Sequence, residues 1–293
     1  MTDPTLLRTD AASLPSVALQ PGTGAIPGEA YLPARPDEVF WGRLPCATDA
    51  PVLTIRPGQT VTIDTLSHEG LLEDQGRDPA AFFAGHGVAR EGVLDDLVAL
   101  AASAHPRDPV RDGPHVVTGP IAVEGALPGD LLTIEVLRLD LRVPYGVISN
   151  RHGRGALPGE YPADGRTVSV FAPVEEGPDG LRGRIPFGAG AERSARFPLA
   201  PFLGLMGVAA AAEERPHSVP PAPSAATSTS SSSPRAAAST CPFRFPERSP
   251  TSATRTSHRA TGRSPSPPWR RPSGPPSAST SSPRTASHAS TGA

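Results

Sequence analysis

The strongest constraint on this chain is a break in composition near residue 222. Of the 72 residues from Ala222 to Ala293, 62 are Ser, Pro, Ala, Thr or Arg, and none is Leu, Ile, Val, Met or Tyr. Such a stretch cannot bury enough apolar surface to offset the entropy lost on ordering it, so residues 222–293 are expected to form a disordered tail. Any core must come from the first 221 residues, a length ample for one large domain or two small ones. Charge divides at the same place. The formal net charge of −2 combines −10 over residues 1–221, where 28 acids face 18 Arg, with +8 over the tail, where Glu247 faces nine Arg.

Several function classes fall away. A near-neutral total argues against a dedicated nucleic-acid binder, and no nucleic-acid partner is expected. No apolar run reaches the roughly 20 residues that a membrane span needs. Met1 to Ser16 lacks a basic segment followed by an apolar one, so no secretory signal is expected. Cys46 and Cys241 are too few for a disulfide framework and lack zinc-site spacing. A cytoplasmic location is expected. Every basic residue is Arg, which points to a coding sequence rich in G and C.

The first 221 residues read as mainly β, with Gly and Pro punctuation. Val52-Leu53-Thr54-Ile55, Pro57-Gly58 and Thr60 to Asp64 form a strand, turn, strand pattern. Val116-Val117 and Ile121-Ala122-Val123 flank Thr118-Gly119-Pro120, and Pro128-Gly129 marks a second turn. Leu132, Ile134, Val136, Leu139 and Leu141 alternate with polar residues for most of their length, with a break near Leu137, as in a half-buried strand. Thr167 to Phe171 and Leu181 to Phe187 suggest two more. One helix is expected, because Val93, Leu94, Leu97, Val98 and Ala101 fall on one face between Gly92 and Pro106. Residues 1–34, rich in Pro and Gly, read as a loose N-terminal arm.

Three polar clusters sit beside strand ends. Asp64 is followed by Ser67-His68-Glu69-Gly70 and Glu73-Asp74-Gln75-Gly76. A carboxylate at a strand end with His and further acids nearby suits a metal ion or a positioned water, and equally a solvated acidic turn. His115 opens the Val116 strand, either as a ligand or as a packed structural residue. Pro128-Gly129-Asp130 is either part of a site or a turn whose Asp bonds its own backbone. Glu124, between two glycines, reads as structural. The polar run Asn150 to Gly155 could hold an anion but is not a phosphate loop. No GxSxG elbow or dinucleotide fingerprint is present.

Taken together, these clusters resemble the acetamidase/formamidase family. HVVTGPIAVEGALPGDLLTIEVL, residues 115–137, is similar to that family's core signature of His, then T/S-G-P, then V-x-G-A-x-P-G-D before a long strand. PGQTVTIDTLSHEG, 57–70, is similar to its segment in which an acid ends a strand. FPLAPFLGLMGVA, 197–209, and SVPP, 218–221, follow in the family's order. The resemblance thus spans most of residues 35–221, read as one truncated β domain.

It then stops at a single point. SVPP should continue into G-x-x-G-G-N-x-D, and G-D-x-H-x-x-Q-G-D-G-E should come later. Combining the last base of each codon with the first two of the next, and choosing synonymous codons freely, lets Ala222 to Thr229 read P-F-G-G-N-L-D. Ser252 to Arg263 then reads G-D-P-H-L-A-Q-G-D-G-E-V. Trp269 has one codon, and in that frame it allows only Glu or Ala, the family having Glu. Residues 222–293 are therefore expected to be out-of-frame translation from a base lost near the codons of Pro221 and Ala222.

The resemblance implies an all-β, sandwich-like fold with few helices and hydrolysis of short aliphatic amides, such as formamide or acetamide, to ammonia and a carboxylate. That reaction needs an activated water and a polarised carbonyl. A divalent metal such as zinc could supply both, and a carboxylate base with an oxyanion pocket is the metal-free alternative. Asp64 and His115 are the expected metal or water ligands, and Asp130 is a third candidate catalytic residue. Glu69, Asp74 and Gln75 are expected behind them or against substrate. No organic cofactor is expected. The expected partner is a small amide, and a homo-oligomer is consistent with exposed strand edges. With the later motifs missing, the chain is expected to be inactive. The alternative is a β-rich binding protein with a basic, disordered arm.

Overall fold

In a computed structural model, the chain is described over residues 14–127, 130–151, 153, 157–187 and 192–219, together with two backbone strands at Ala225–Thr227 and Ser257–Gly262. The rest of the expected tail, Pro128-Gly129, His152 and residues 154–156 lie outside the described residues. The architecture is all-β in character, with two short α-helices among the described residues. None of the described helices is long and apolar enough to cross a membrane.

The first half is a mosaic of short strands: β1 (Ala30–Leu32), β2 (Val39–Trp41), β3 (Leu53–Ile55), β4 (Thr60–Ile63), β5 (Val116–Thr118) and β6 (Ile121–Val123). The strand–turn–strand patterns do not close as hairpins. β3 pairs in parallel with β6 and β4 in parallel with β1, while β2 and β5 are antiparallel. Burial explains the choice. Pairing across the chain gathers Leu32, Ile55, Val61, Ile63 and Ile121 into one buried cluster, each side chain contributing about 1.5–3 kcal/mol by leaving water. A local β3–β4 hairpin would leave out Leu32 and Ile121.

A second, larger cluster holds Trp41, Leu71, Phe83, Val93, Leu97 and Leu100. It is roofed by α1 (Pro79–Ala84) and α2 (Asp95–Ala102). α2 forms where the apolar spacing places it, with Asp95 and Asp96 favourably set in the first turn. α1 has only six residues, too few to show a period. It is fixed instead by Pro79 at its start and by the Asp78 side chain, which accepts from Ala81 N at 3.0 Å. The N-terminal segment is not a loose arm over its described part. Leu19 N donates to Arg142 O at 2.7 Å, and Ala18, Leu32 and Ala34 are buried.

The second half comprises β7 (Leu132–Arg138), β8 (Tyr145–Arg151), β9 (Thr167–Gly177), β10 (Gly180–Phe187), β11 (Arg193–Pro198) and β12 (Leu205–Gly207). β8 to β11 form an antiparallel meander in chain order. Tyr145, Val147 and Phe171 on one face pack against the helical core. The two tail strands are β13 (Ala225–Thr227), paired with β12, and β14 (Ser257–Gly262), which lies between β4 and β7.

Candidate functional site

Three segments far apart in sequence meet around Gly42, just after β2. Gly42 N donates to His115 O at 2.8 Å, Gly113 N donates to Gly42 O at 3.0 Å, and Ser218 N donates to Gly42 O at 3.2 Å. The approach requires glycine at two positions. Gly42 has φ 85°, and a side chain there would come within 2.6 Å of Asp112 Cβ. A Cβ on Gly113 would occupy the place of Ser218 Oγ. Ser218, fully buried, is thereby set against His115, with Oγ 3.1 Å from Nδ1.

His68 lies on the other side of His115. Their rings meet edge to face with centroids 5.9 Å apart. His68 Nε2 is 3.4 Å from Glu69 Oε1. Glu69 is buried and accepts from Ser149 Oγ at 2.7 Å and from Gln75 Nε2. Gln75 is held in turn by Gly70 N, which donates to its Oε1 at 2.7 Å, and it reaches Ser169 Oγ at 3.2 Å. Ser149 and Ser169 face each other across β8 and β9 and are 2.9 Å apart. The result is a continuous polar line from Ser218 through His115 and His68 to Glu69 and the sheet.

Charge along this line is set by burial and hydrogen bonding. Burial alone would raise the Glu69 carboxyl, but the bonds from His68, Gln75 and Ser149 outweigh it and take the pKa down to about 2. Glu69 is therefore an anion and only an acceptor. Burial, with His68 adjacent, lowers His115 below the ordinary imidazole value. His115 is therefore neutral at pH 7 and basic at one ring nitrogen. Asp74 stands at the rim. Arg151 Nε donates to it at 2.7 Å and Thr167 Oγ1 at 2.6 Å, and these bonds prevail over burial to lower its pKa.

Asp64 departs from expectation. It is fully buried directly after β4, but its carboxylate is the counter-ion of a buried arginine. Arg142 Nη2 lies 3.2 Å from Asp64 Oδ2, and Arg142 Nη1 lies 2.7 Å from Asp96 Oδ2. Tyr31 Oη donates to Asp64 Oδ2 at 3.0 Å. Burial, reinforced by Asp64, pushes the Tyr31 phenol up to about 12, so it remains a donor. Burial also raises Asp96 although Arg142 pulls against it. A cation beside Asp64 would face the Arg142 guanidinium at close range, so the expected Asp64–His115 metal pair does not fit this arrangement. Among the described residues, no group of three or more His, Cys, Asp or Glu is placed to hold a metal ion.

Asp130 is also corrected. It is exposed, and its Oδ2 accepts from Leu127 N at 2.8 Å, so its carboxylate closes its own turn. Of the polar run 150–155, Asn150 and Arg151 end β8, and Arg151 is tied to Asp74. Ser218, Ser149, Ser169 and Arg142 were not expected. Ser218 opens the SVPP string and could have been found there. The other three carry no local signal, because each acts only through contacts made by folding.

The chain matches no family model, and no curated protein matches it. Among solved structures it is similar to an acetamidase of Yersinia enterocolitica, at 15% identity over 84% of this chain and 69% of that one, with a TM-score of 0.42. A predicted acetamidase/formamidase of Thermoanaerobacter tengcongensis is similar at 15% identity over 80% of this chain and 67% of that one, with a TM-score of 0.46. An acetamidase of Bacillus halodurans is similar at 17% identity over 79% of this chain and 70% of that one, with a TM-score of 0.48.

Proposed function

We propose that the His68–His115–Ser218 corner is the reaction centre of an amidohydrolase acting on short linear amides. One observation carries this reading. The three strings that resemble the acetamidase/formamidase family at SHEG, at His115 and at SVPP are distant in sequence, yet their polar residues meet here, within 3.1 Å for His115 and Ser218 and within 5.9 Å for the two imidazole rings.

The chemistry follows from the partners. In the tautomer in which Nδ1 donates to Ser218 Oγ, His115 Nε2 is the basic nitrogen. It takes a proton from a water that attacks the amide carbonyl carbon. The tetrahedral intermediate then expels ammonia, which takes its proton from the His115 imidazolium, and the acid product ionises. Ser218 is a positioning residue and not the nucleophile, because it is fully buried against Gly113 and leaves no room for a tetrahedral adduct. Glu69 accepts from His68 and fixes the ring that faces His115. A bound metal would supply Lewis-acid activation of water, but no step above depends on one.

The same reading takes residues 222–293 as out-of-frame translation. The test is ammonia release from formamide, acetamide, propionamide and urea by two proteins, the chain as given and one with the shifted frame restored after Pro221. The restored protein is expected to hydrolyse formamide or acetamide and the given chain to show little activity. Inactivity of both on every amide would reject the amidase, and full activity of the given chain would reject the frame reading. Preference for urea would move the function to another C–N bond.

A further inference from the structure

Amide hydrolysis needs a donor on the carbonyl oxygen, where negative charge grows in the transition state. In the corner described above, Ser218 is held to the His115 ring, and the basic nitrogen of that ring takes the proton of the attacking water. The carbonyl donor has to come from a neighbouring element. Arg151, the last residue of β8, is placed for it. Its Nε and Nη2 donate to Asp74 at 2.7 and 3.3 Å. Asp74 is fixed from the other side by Thr167, registered opposite Arg151 on β9, whose Oγ1 donates at 2.6 Å. This fork sets the plane of the guanidinium and leaves Nη1 uncommitted. Among the described residues, Nη1 makes no hydrogen bond and lies 3.8 Å from Glu69 Oε1, beyond hydrogen-bond reach. The bonds from Gln75 and Ser149 go to the other carboxylate oxygen, Oε2, so Oε1 keeps lone-pair capacity beside His68 Nε2 at 3.4 Å. The Arg151 and Glu69 side chains keep 20% and 11% exposure, so the space between them opens to solvent.

We propose that Arg151 is the carbonyl donor of this reaction, a catalytic residue whose Nη1 bonds the substrate oxygen while Glu69 Oε1 accepts an N–H from the same edge of the amide. The assignment rests on the amidase reading. A primary amide carries its oxygen and one N–H on a single edge, with O and N about 2.2 Å apart by ordinary bond lengths. Facing that edge, a donor nitrogen and a carboxylate oxygen 3.8 Å apart can each bond at about 2.9 Å. As water adds, charge on the substrate oxygen grows against a guanidinium that cannot give up its own proton, and the His115 imidazolium forms in the same step. The bonds broken and formed are those of the hydrolysis above. Asp74 acts only through Arg151 and is a positioning residue. The same geometry selects the substrate. An open-chain N-methyl amide is trans, which puts its methyl group on the oxygen's edge, where the N–H has to be. The Arg151–Glu69 pair, too long for a hydrogen bond and partly exposed, adds little to stability, so its loss is read in rates.

The test combines hydrolysis by the frame-restored protein with acetamide binding to the chain as given. Arg151→Met lowers kcat for acetamide about 10²–10³-fold, changes KM less than about tenfold and leaves the thermal melt in place. Arg151→Lys does not rescue it, because one ammonium cannot hold Asp74 in a fork and reach the substrate together. Asp74→Asn, which loosens the fork, lowers kcat by less. The parent hydrolyses acetamide at least about 10²-fold faster than N-methylacetamide. Saturation-transfer NMR shows acetamide binding the chain as given in about the millimolar range, and more weakly after Arg151→Met. Absence of that binding overturns the donor–acceptor edge. An Arg151→Met kcat within about threefold of the parent, where His115→Asn is inactive, overturns the assignment and leaves the amidase reading standing. Equal rates on acetamide and N-methylacetamide overturn it too, with no variant that has to fold. Acetamide bound through Arg151 but hydrolysed by neither protein rejects the amidase reading and the catalytic role together, and the binding tells that failure from the others.

Discussion

Two buried acids lie close together in sequence and are handled in opposite ways. Asp64 shares one guanidinium with Asp96, so its charge is cancelled by Arg142 and reinforced by Tyr31. Glu69 accepts mainly from neutral donors, Gln75 and Ser149, and lies beside His68, whose ring faces His115, with the Arg151 guanidinium farther off at 3.8 Å. The first arrangement uses charge to tie the N-terminal segment, α2 and the end of β4 together. The second keeps an anion available to an imidazole pair. The comparison shows that a carboxylate at a strand end has structural or chemical meaning only through what folding brings to it.

The largest expected effect falls on the structural side. Arg142→Met removes the guanidinium that two buried carboxylates share, and should cost about 3–5 kcal/mol of stability in a denaturant titration. A loss below 1 kcal/mol would show that the Asp64 network is not what binds those segments. On the chemical side, His115→Asn should lower kcat/KM for acetamide about 10²–10⁴-fold in the frame-restored enzyme with little change in its melt. Ser218→Ala leaves the His115 Nδ1 proton without its acceptor and should cost about 1–2 kcal/mol in kcat/KM.

The pH dependence should differ more subtly. Glu69 has a folded pKa of about 2 against an ordinary 4.5. Its stabilisation is therefore fully present above pH 4.5 and fades as pH falls toward 2, and Glu69→Gln should remove that part of the acid unfolding curve. His115 also has a depressed folded pKa. It binds its proton less readily when folded, so the acid limb of kcat/KM should lie below pH 6.5, the ordinary imidazole value.

Much of this molecule was legible in the sequence, for identifiable reasons. β9, β10 and α2 appeared because their apolar spacing is local. The parallel pairing of β3 with β6 did not, since it depends on which distant strand completes the Leu32–Ile121 cluster. His115 and Glu69 stood out as polar residues near strand ends. Asp64 stood out equally and misled, because nothing near residue 64 announces Arg142. The same limit applied to Asp130, where spacing alone could not separate a site from a turn.

The most direct measurement compares ammonia release from acetamide by the frame-restored protein with that of its His115→Asn variant at matched folded concentration. Release by the parent and a loss of at least about 10²-fold in the variant is the result predicted for a catalytic His68–His115–Ser218 corner. Equal rates in the two proteins would contradict it and move the chemistry elsewhere in the molecule.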